Sequence, residues 1–444
     1  MTDTSREPEP WRPGSVALSW GATGLALVLL GLVAGRPLVV ALGMPLAIGT
    51  AWSWSLRPGG VGEVAIHDSR YRGKSGCVEG DLQIVSVPGV ATTYLRVGSS
   101  AHRPVDVVVD STARRSLRLS VSGTRTGRRS VFTAAYLQAG PDQITRVDPD
   151  SLGPIHVTVL PRTVPLGRLP LPSRLQGLTG AHDSRRIGDG GEFHDISPFA
   201  PGDRLRRIDW RVTARRVGQD RGAVPGITQL YVRRSHATAD AVVILVIDSR
   251  DEIGPDVATW ASGRPVHPED PTSLDIARES AGSLARTYLE AGDRVGVIDL
   301  ARTTRALRPA GGRRHLQRVL HQLAAANPEG EPARRVRAPQ VPSGAMIVMF
   351  STFLDDEPVK LGEMWRAGGH RVLAIDVIPR PELDRLRPRE QLAYRIIELE
   401  RQDRFWQLAG GGVEVVPWSV GEGPGASSLA HGLATAARRR DGRR

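Results

Sequence analysis

Four oxygen-bearing side chains, Asp248, Asp299, Thr352 and Asp376, fall at or near the ends of the apolar runs AVVILVIDS, RVGVIDL, AMIVMFST and HRVLAIDVIP. Carboxylates brought together in this way can exchange protons with a substrate or hold a hard cation. A hydrolase or transferase working on these strand-end carboxylates is therefore one reading of the chain. It lacks a nucleophile: the sequence has no G-x-S-x-G elbow, no H-E-x-x-H and no G-x-G-x-x-G opening a helix after a strand. Gly73-Lys74-Ser75 is similar to the end of a phosphate-binding loop, but Asp68 occupies the place of its first glycine and no apolar strand precedes it. The 11 histidines are scattered, and neither His182 nor His194 stands at a telling distance from a nucleophile, so both read as surface or turn residues. Cys77 is the single cysteine, which excludes an intramolecular disulfide and every multi-cysteine metal or redox motif. The net charge of +12 admits nucleic acid, an anionic membrane surface or acidic proteins as partners. All but two of the basic residues are arginine, the exceptions being Lys74 and Lys360. Base composition of the genome accounts for that bias as readily as phosphate recognition does. Nucleic-acid binding through the arginine excess is a second alternative, but no aromatic and basic platform supports it.

The elements that must position the four strand-end residues follow from the hydrophobic pattern. From residue 241 onward, near-continuous apolar strands alternate with amphipathic stretches near residues 273–290 and 313–326, which predicts a parallel sheet covered by helices on both faces. Ligands in such doubly wound sheets bind beyond the carboxyl ends of the strands, near the switch point. Residues 80–161 instead contain short alternating runs such as DLQIVSV, VDVVVD, SLRLSVSG and IHVTVLP separated by turn residues, the pattern of a small β-sandwich or barrel. Prolines and glycines in residues 162–180 mark a linker between the two. With 444 residues, 40% of them apolar and 24% charged, the chain has the length and composition of two or three folded domains.

The first 56 residues differ. Residues 15–35 carry no charge, and 21 residues at a helical rise of about 1.5 Å cover roughly 30 Å, the thickness of a bilayer core. After Arg36-Pro37 a second uncharged run, residues 38–56, closes with Trp52 and Trp54, residues suited to the membrane interface. Pro45 interrupts it, an irregularity that a neighbouring helix can compensate. A cleaved signal peptide is the competing reading; the length of the run, the mixed charges ahead of it and the second run favour an anchor. Arg57, Arg70, Arg72 and Lys74 follow the second span whereas the turn holds only Arg36, which predicts that both termini are cytoplasmic. Neither span carries a charge that would suggest a conducted ion.

Between linker and α/β region lies IGDGGEFHDISPFAPGDRLRRIDWRVTARR, residues 187–216. Pro201-Gly202-Asp203 reads as a tight turn with Asp203 accepting local backbone hydrogen bonds. Asp209 is expected to pair with Arg206 or Arg215 beside Trp210, whose indole would supply an apolar anchor. Such a segment either clips the β-rich domain to the α/β domain or docks a partner. The order Gly-Glu-Phe, Pro-Gly-Asp, Arg-x-Ile-Asp-Trp and Ala-Arg, directly before an apolar strand ending in Asp, resembles the bacterial family called domain of unknown function 58 (DUF58). Ser197 and Phe199 stand where that family often carries an Arg-x-Tyr pair.

The resemblance implies two N-terminal transmembrane helices, a β-rich domain, the signature and an α/β domain similar to von Willebrand factor type A. On that basis the chain divides into a cytoplasmic tail (1–14), a transmembrane hairpin (15–56), a β-rich sandwich-like domain (57–161), a linker (162–186), the signature segment (187–236), the type A-like domain (237–438) and a basic tail (439–444). Type A domains often hold magnesium through Asp-x-Ser-x-Ser. Here Asp248 matches the first position, but Arg250 and Glu252 replace the serines, and Ser351-Thr352-Phe353 replaces a common Ser-Asp-Phe. Asp248 is thus a degenerate metal candidate, in which Arg250 is placed to neutralise it, and no cofactor is expected. Asp251 or Glu252 would be the residues to rescue a rearranged magnesium site. The resemblance further implies a non-enzymatic adaptor at the cytoplasmic face of the cell membrane, docking a MoxR-type AAA+ ATPase or its client. Gly202, Asp203, Arg206, Asp209, Trp210 and Arg215 are the residues that docking or structural role would use.

Overall fold

The computed structural model describes residues 11–441 except 73–76, 86, 100–101, 112, 124, 176–179, 218–228, 261–263, 265, 268–269, 303–305, 329–336, 385 and 417–425. The chain forms two bodies, one comprising Met1–Val159 and the other beginning at Leu160.

The first body opens with a short strand, β1 (Arg12–Pro13), and two apolar helices, α1 (Ser15–Val33) and α2 (Pro37–Ser55). Gly35 at φ +64° turns the chain, and Pro37 starts α2 at a position where its missing N–H costs nothing. At 19 residues each, the helices are about 28 Å long, and both are apolar enough to cross a membrane. Pro45 lies inside α2 without ending it. The helices meet through glycines. A Cβ on Gly43 would lie 2.7 Å from the Gly24 carbonyl oxygen and 2.9 Å from the Val28 nitrogen; one on Gly31 would lie 2.7 Å from the Val40 nitrogen. Such backbone-to-backbone approach is how helices associate where lipid removes the hydrophobic drive. The outward faces carry Leu18, Leu25, Leu29, Leu38, Leu42 and Ile48, all exposed.

The rest of this body is antiparallel. Strands β2 (Glu63–Arg72), β3 (Cys77–Val85), β4 (Thr92–Ser99), β5 (His102–Asp110), β6 (Arg115–Ser122), β7 (Gly127–Ala139), β8 (Thr145–Arg146) and β9 (Asp150–Val159) form two sheets. One has the order β1-β8-β7-β4-β5 with β9 also on β7; the other is β2-β3-β6. Buried residues alternate along β3, and Val64, Leu82, Ile84, Leu95, Val109 and Ala134 from both sheets share one core, so the region is a sandwich.

In the second body, the proline-rich stretch expected as a linker lies against helix α4 (Ser273–Glu290). Val164 N donates to Ser283 Oγ, Leu166 N to Thr287 Oγ1, and the buried Tyr288 hydroxyl to the Pro170 carbonyl at 2.6 Å. Strand β10 (His182–Pro198), helix α3 (Trp210–Val217) and strand β11 (Tyr231–Ala239) contain the signature, with β10 and β11 paired antiparallel through an irregular register. The remaining elements are β12 (Val242–Ile247), β13 (Arg294–Asp299), β14 (Leu307–Ala310), α5 (Arg313–Ala325), β15 (Met346–Ser351), α6 (Glu357–Ala367), β16 (Arg371–Asp376), α7 (Pro388–Gly410), β17 (Glu414–Val416) and α8 (Ala426–Asp441).

The sheet order is β14-β13-β12-β15-β16-β17. All neighbours are parallel except β14, which runs antiparallel to β13 and caps the edge. The expected all-parallel sheet is therefore mixed, because the connection from β13 to β14 is too short for a crossover helix. Alternate residues of β12 point to opposite faces. Val243, Leu245 and Ile247 pack with α4, α5 and α8; Ile244 and Val246 pack with α6 and Leu408 of α7. Helices thus cover both faces of a doubly wound sheet, and the chain reverses its direction of strand addition at β12.

A hairpin held by backbone approach makes a specific prediction. A Cβ on Gly21 would lie 4.0 Å from that of Thr50, within disulfide range. In a Cys77→Ser background, Gly21→Cys with Thr50→Cys should oxidise to an intrachain disulfide, and adding Gly43→Leu should abolish it; a bond that survives Gly43→Leu would refute the glycine seam.

Candidate functional site

The reversal at β12 brings the sequence-predicted residues Asp248, Asp299, Thr352 and Asp376 to the same edge of the sheet, at or just beyond the ends of β12, β13, β15 and β16. Each is buried or nearly so, and each has a partner. Both carboxylate oxygens of Asp248 accept from one guanidinium, Arg250 Nε at 2.8 Å and Nη2 at 2.8 Å, and Ser351 Oγ donates to Oδ2 at 2.7 Å. The other edge of Arg250 donates to Asp355 at 2.7 and 2.9 Å. Burial, which opposes a charge on Arg250, is outweighed by these two carboxylates, so its pKa rises. The neutralisation of Asp248 expected from the sequence is thus bidentate. Among the described residues no three His, Cys, Asp or Glu side chains converge in a metal-holding group.

The neighbours are arranged in the same manner. Ser249 Oγ donates to Asp299, which also accepts from Ala301 N at 3.1 Å; burial nevertheless raises the Asp299 pKa. Asp376 accepts from Arg401 Nη2 at 2.6 Å and from Ile378 N at 3.0 Å, while Arg401 Nε donates to the Thr352 carbonyl at 3.0 Å. Burial raises the Asp376 pKa against the pull of Arg401. Glu252 accepts from the Thr272 hydroxyl at 2.9 Å, beside the capping box by which Thr272 and Asp275 start α4. Asp251 differs from these. It accepts from Thr352 Oγ1 at 2.9 Å, and burial followed by the nearby Asp248 pushes it up to about 7. A carboxyl that exchanges its proton near neutrality has the property of a general acid or base.

Arg401 and Asp355 escaped the sequence reading. Arg401 left a trace, since it shares one helix face with Phe405 and Leu408 where an apolar residue belongs. Asp355 left none, because its role depends on a loop 105 residues away in sequence.

The signature forms a second cluster. Gly202 sits at φ +101°, where a side chain would be strained, and Asp203 Oδ2 accepts from Ala200 N at 2.9 Å as expected. Arg234 Nη2 donates to the same oxygen at 3.1 Å, and these contacts, the backbone one foremost, lower the Asp203 pKa. Two expectations are corrected. Asp209 forms no ion pair with Arg206 or Arg215; its Oδ1 accepts from Arg211 N and Val212 N at 3.1 and 3.0 Å, starting α3 as an N-cap. Trp210 is not an internal anchor, because the cap aims the first residue of α3 outward and leaves the indole 60% exposed. Leu205 and Phe193 are exposed as well, and the Arg233 guanidinium lies 5.1 Å from the Phe193 ring centre. Arg206, Arg211 and Arg215 are exposed too. Arg206, Arg207, Asp209, Trp210 and Arg233 line a groove of about 370 Å³. Ser197, at a position of departure from the family pattern, donates to Asp195.

Residues 195–386 match the model of the family described as Protein of unknown function DUF58. The chain carries a DUF58 region. It begins within β10, contains the Asp203 turn, Trp210 and the Asp248 cluster, and ends ahead of α7. Arg401 thus reaches into the DUF58 region from a helix that follows it. No curated protein and no solved structure matches the chain.

Arg250→Ala would leave Asp248 buried with a hydroxyl as its remaining side-chain donor, and should cost about 3 kcal/mol in denaturant unfolding. For Asp251 the sign is opposite to that of a salt-bridged acid. Its folded pKa of about 7 exceeds the unfolded value, so the folded state holds the extra proton between roughly pH 4 and 7. Its contribution is full below that window and lost as pH rises through it. Asp251→Asn should accordingly melt increasingly above the parent chain as pH is raised from 4 to 7.5; a pH-independent difference would refute the assignment.

Proposed function

We propose that the chain is a membrane-anchored, non-enzymatic adaptor whose signature face docks a MoxR-type AAA+ ATPase or its client. In this reading α1 and α2 form a two-pass anchor with both termini on the cytoplasmic side, as the basic residues after the second span favour. The body that follows is a degenerate von Willebrand factor type A-like domain, held where a cytoplasmic partner can reach it.

One observation carries the reading. Trp210 and Leu205 are held out into solvent by a capped helix and a tight turn, and the exposed arginines 206 and 233 line one groove with the indole. Folding gains nothing from exposing an indole, whereas Trp and Arg are the residues that dominate binding energy in protein interfaces. The strand-end carboxylates point the same way, since Arg250 and Arg401 occupy the oxygens that a metal or substrate would need.

Pull-down with the detergent-solubilised full chain should recover a MoxR-type ATPase. Trp210→Ala should reduce that recovery at least about tenfold, the loss of a hot spot worth more than about 1.4 kcal/mol, with the melting temperature unchanged. Equal recovery by the parent and Trp210→Ala chains, or recovery of no such ATPase by either, would sink the proposal.

A further inference from the structure

The helix that follows the DUF58 region carries an apolar stripe on its solvent side. Leu392, Ile396, Leu399 and Trp406 of α7 are each more than half exposed, although the opposite side of the helix buries Arg401 and Leu408. Steps of four, three and seven residues align these four side chains on one face. Exposed apolar residues scattered singly need no explanation; four in register, one of them a tryptophan 77% exposed, form a patch that does.

The stripe has a centre. Helix α7 runs Pro388–Gly410 over 23 residues, so Leu399 is its middle residue. Reflection about Leu399 sets Leu392 against Trp406, each seven residues away, and Arg395 against Asp403, each four away. Among the described residues neither Arg395 nor Asp403 has an ion-pair partner in its own chain. The face therefore meets its own reversed copy with Leu399 against itself, Leu392 level with Trp406 and a cation level with an anion, while Ile396 falls level with Gln402.

We propose that α7 is an isologous interface between two copies of this chain, packed antiparallel and crossing at Leu399. Two-fold symmetry requires that residue i meet residue j while j meets i, and the reversal of charge about Leu399 supplies that pattern. A lipid surface would select basic residues flanking the stripe, not Asp403 within it. A single helix about 34 Å long buries less than the 1,200–2,000 Å² of a stable interface, so the pairing is weak in dilute solution and strengthened when both copies share one membrane. This inference is independent of the partner docked at Trp210.

The test uses the full chain reconstituted in lipid vesicles, in a Cys77→Ser background, with a short bismaleimide cross-linker. Leu399→Cys should link to itself. Leu392→Cys mixed with Trp406→Cys should link far more than either alone. Adding Leu399→Glu to the Leu392→Cys and Trp406→Cys chains should abolish their cross-link with no change in melting temperature, since Leu399 is exposed. The proposal is overturned if Leu399→Cys stays unlinked, if Leu392→Cys and Trp406→Cys each link to themselves as readily as to one another, or if Leu399→Glu leaves their cross-link undiminished. Transfer of a fluorophore on Leu399→Cys into the lipid phase, with no cross-linked pairs formed, would assign the stripe to lipid and overturn it equally.

Discussion

A guanidinium held between two carboxylates, Arg250 between Asp248 and Asp355, organises the carboxyl edge of the central sheet. Asp248 follows the innermost strand and Asp355 lies in the loop after β15, so one side chain ties together the two loops that open beside the reversal of strand order. An unpaired carboxylate at Asp248 would be costly because almost none of it reaches water. The arginine that removes this cost also occupies the oxygens by which a cation would be bound. Arg401 repeats the device at Asp376, adding a hydrogen bond to the Thr352 carbonyl that fixes α7 against the strand ends. The same burial acts on Asp251, whose side-chain partner is the Thr352 hydroxyl and whose pKa it raises together with the nearby Asp248.

The signature face follows a different economy. Its polar residues are spent on local geometry: Asp203 on a turn, Asp209 on a helix start, Gly202 on a positive φ. None of them reaches out of the segment, except through Arg234 to Asp203 within the paired strands. What is left facing water is the indole of Trp210 with arginines 206 and 233 in the same groove. Rigid local geometry beneath an exposed aromatic side chain lowers the entropy lost on binding, which is the condition under which a small face can hold a partner.

The helical hairpin and the α/β body also pack by opposite means. Glycines let α1 and α2 touch backbone to backbone, leaving their leucines outward. In the α/β body the branched side chains of β12 and β15 point to both faces and are covered by helices. The first pattern suits helices surrounded by lipid, the second a sheet buried on both faces.

By itself the sequence determined what depends on short-range pattern. The two uncharged runs, the alternating strands of the sandwich and the apolar strands with their intervening helices are local periodicities, and Asp203 in its turn is read from Pro201-Gly202-Asp203. The pairing of Asp248 with Arg250 was legible because a single residue separates them. Tertiary structure decided the rest. That Asp355 shares Arg250, that Arg401 serves Asp376, and that Thr352 serves Asp251 depend on strands and helices brought together across 25 to 105 residues. The antiparallel edge strand β14, the cap role of Asp209 and the outward Trp210 were likewise misread or missed, because hydrogen-bond partners and exposure are properties of the packed chain. Periodicity specifies which face of an element is buried; it does not specify which distant charge will be waiting there.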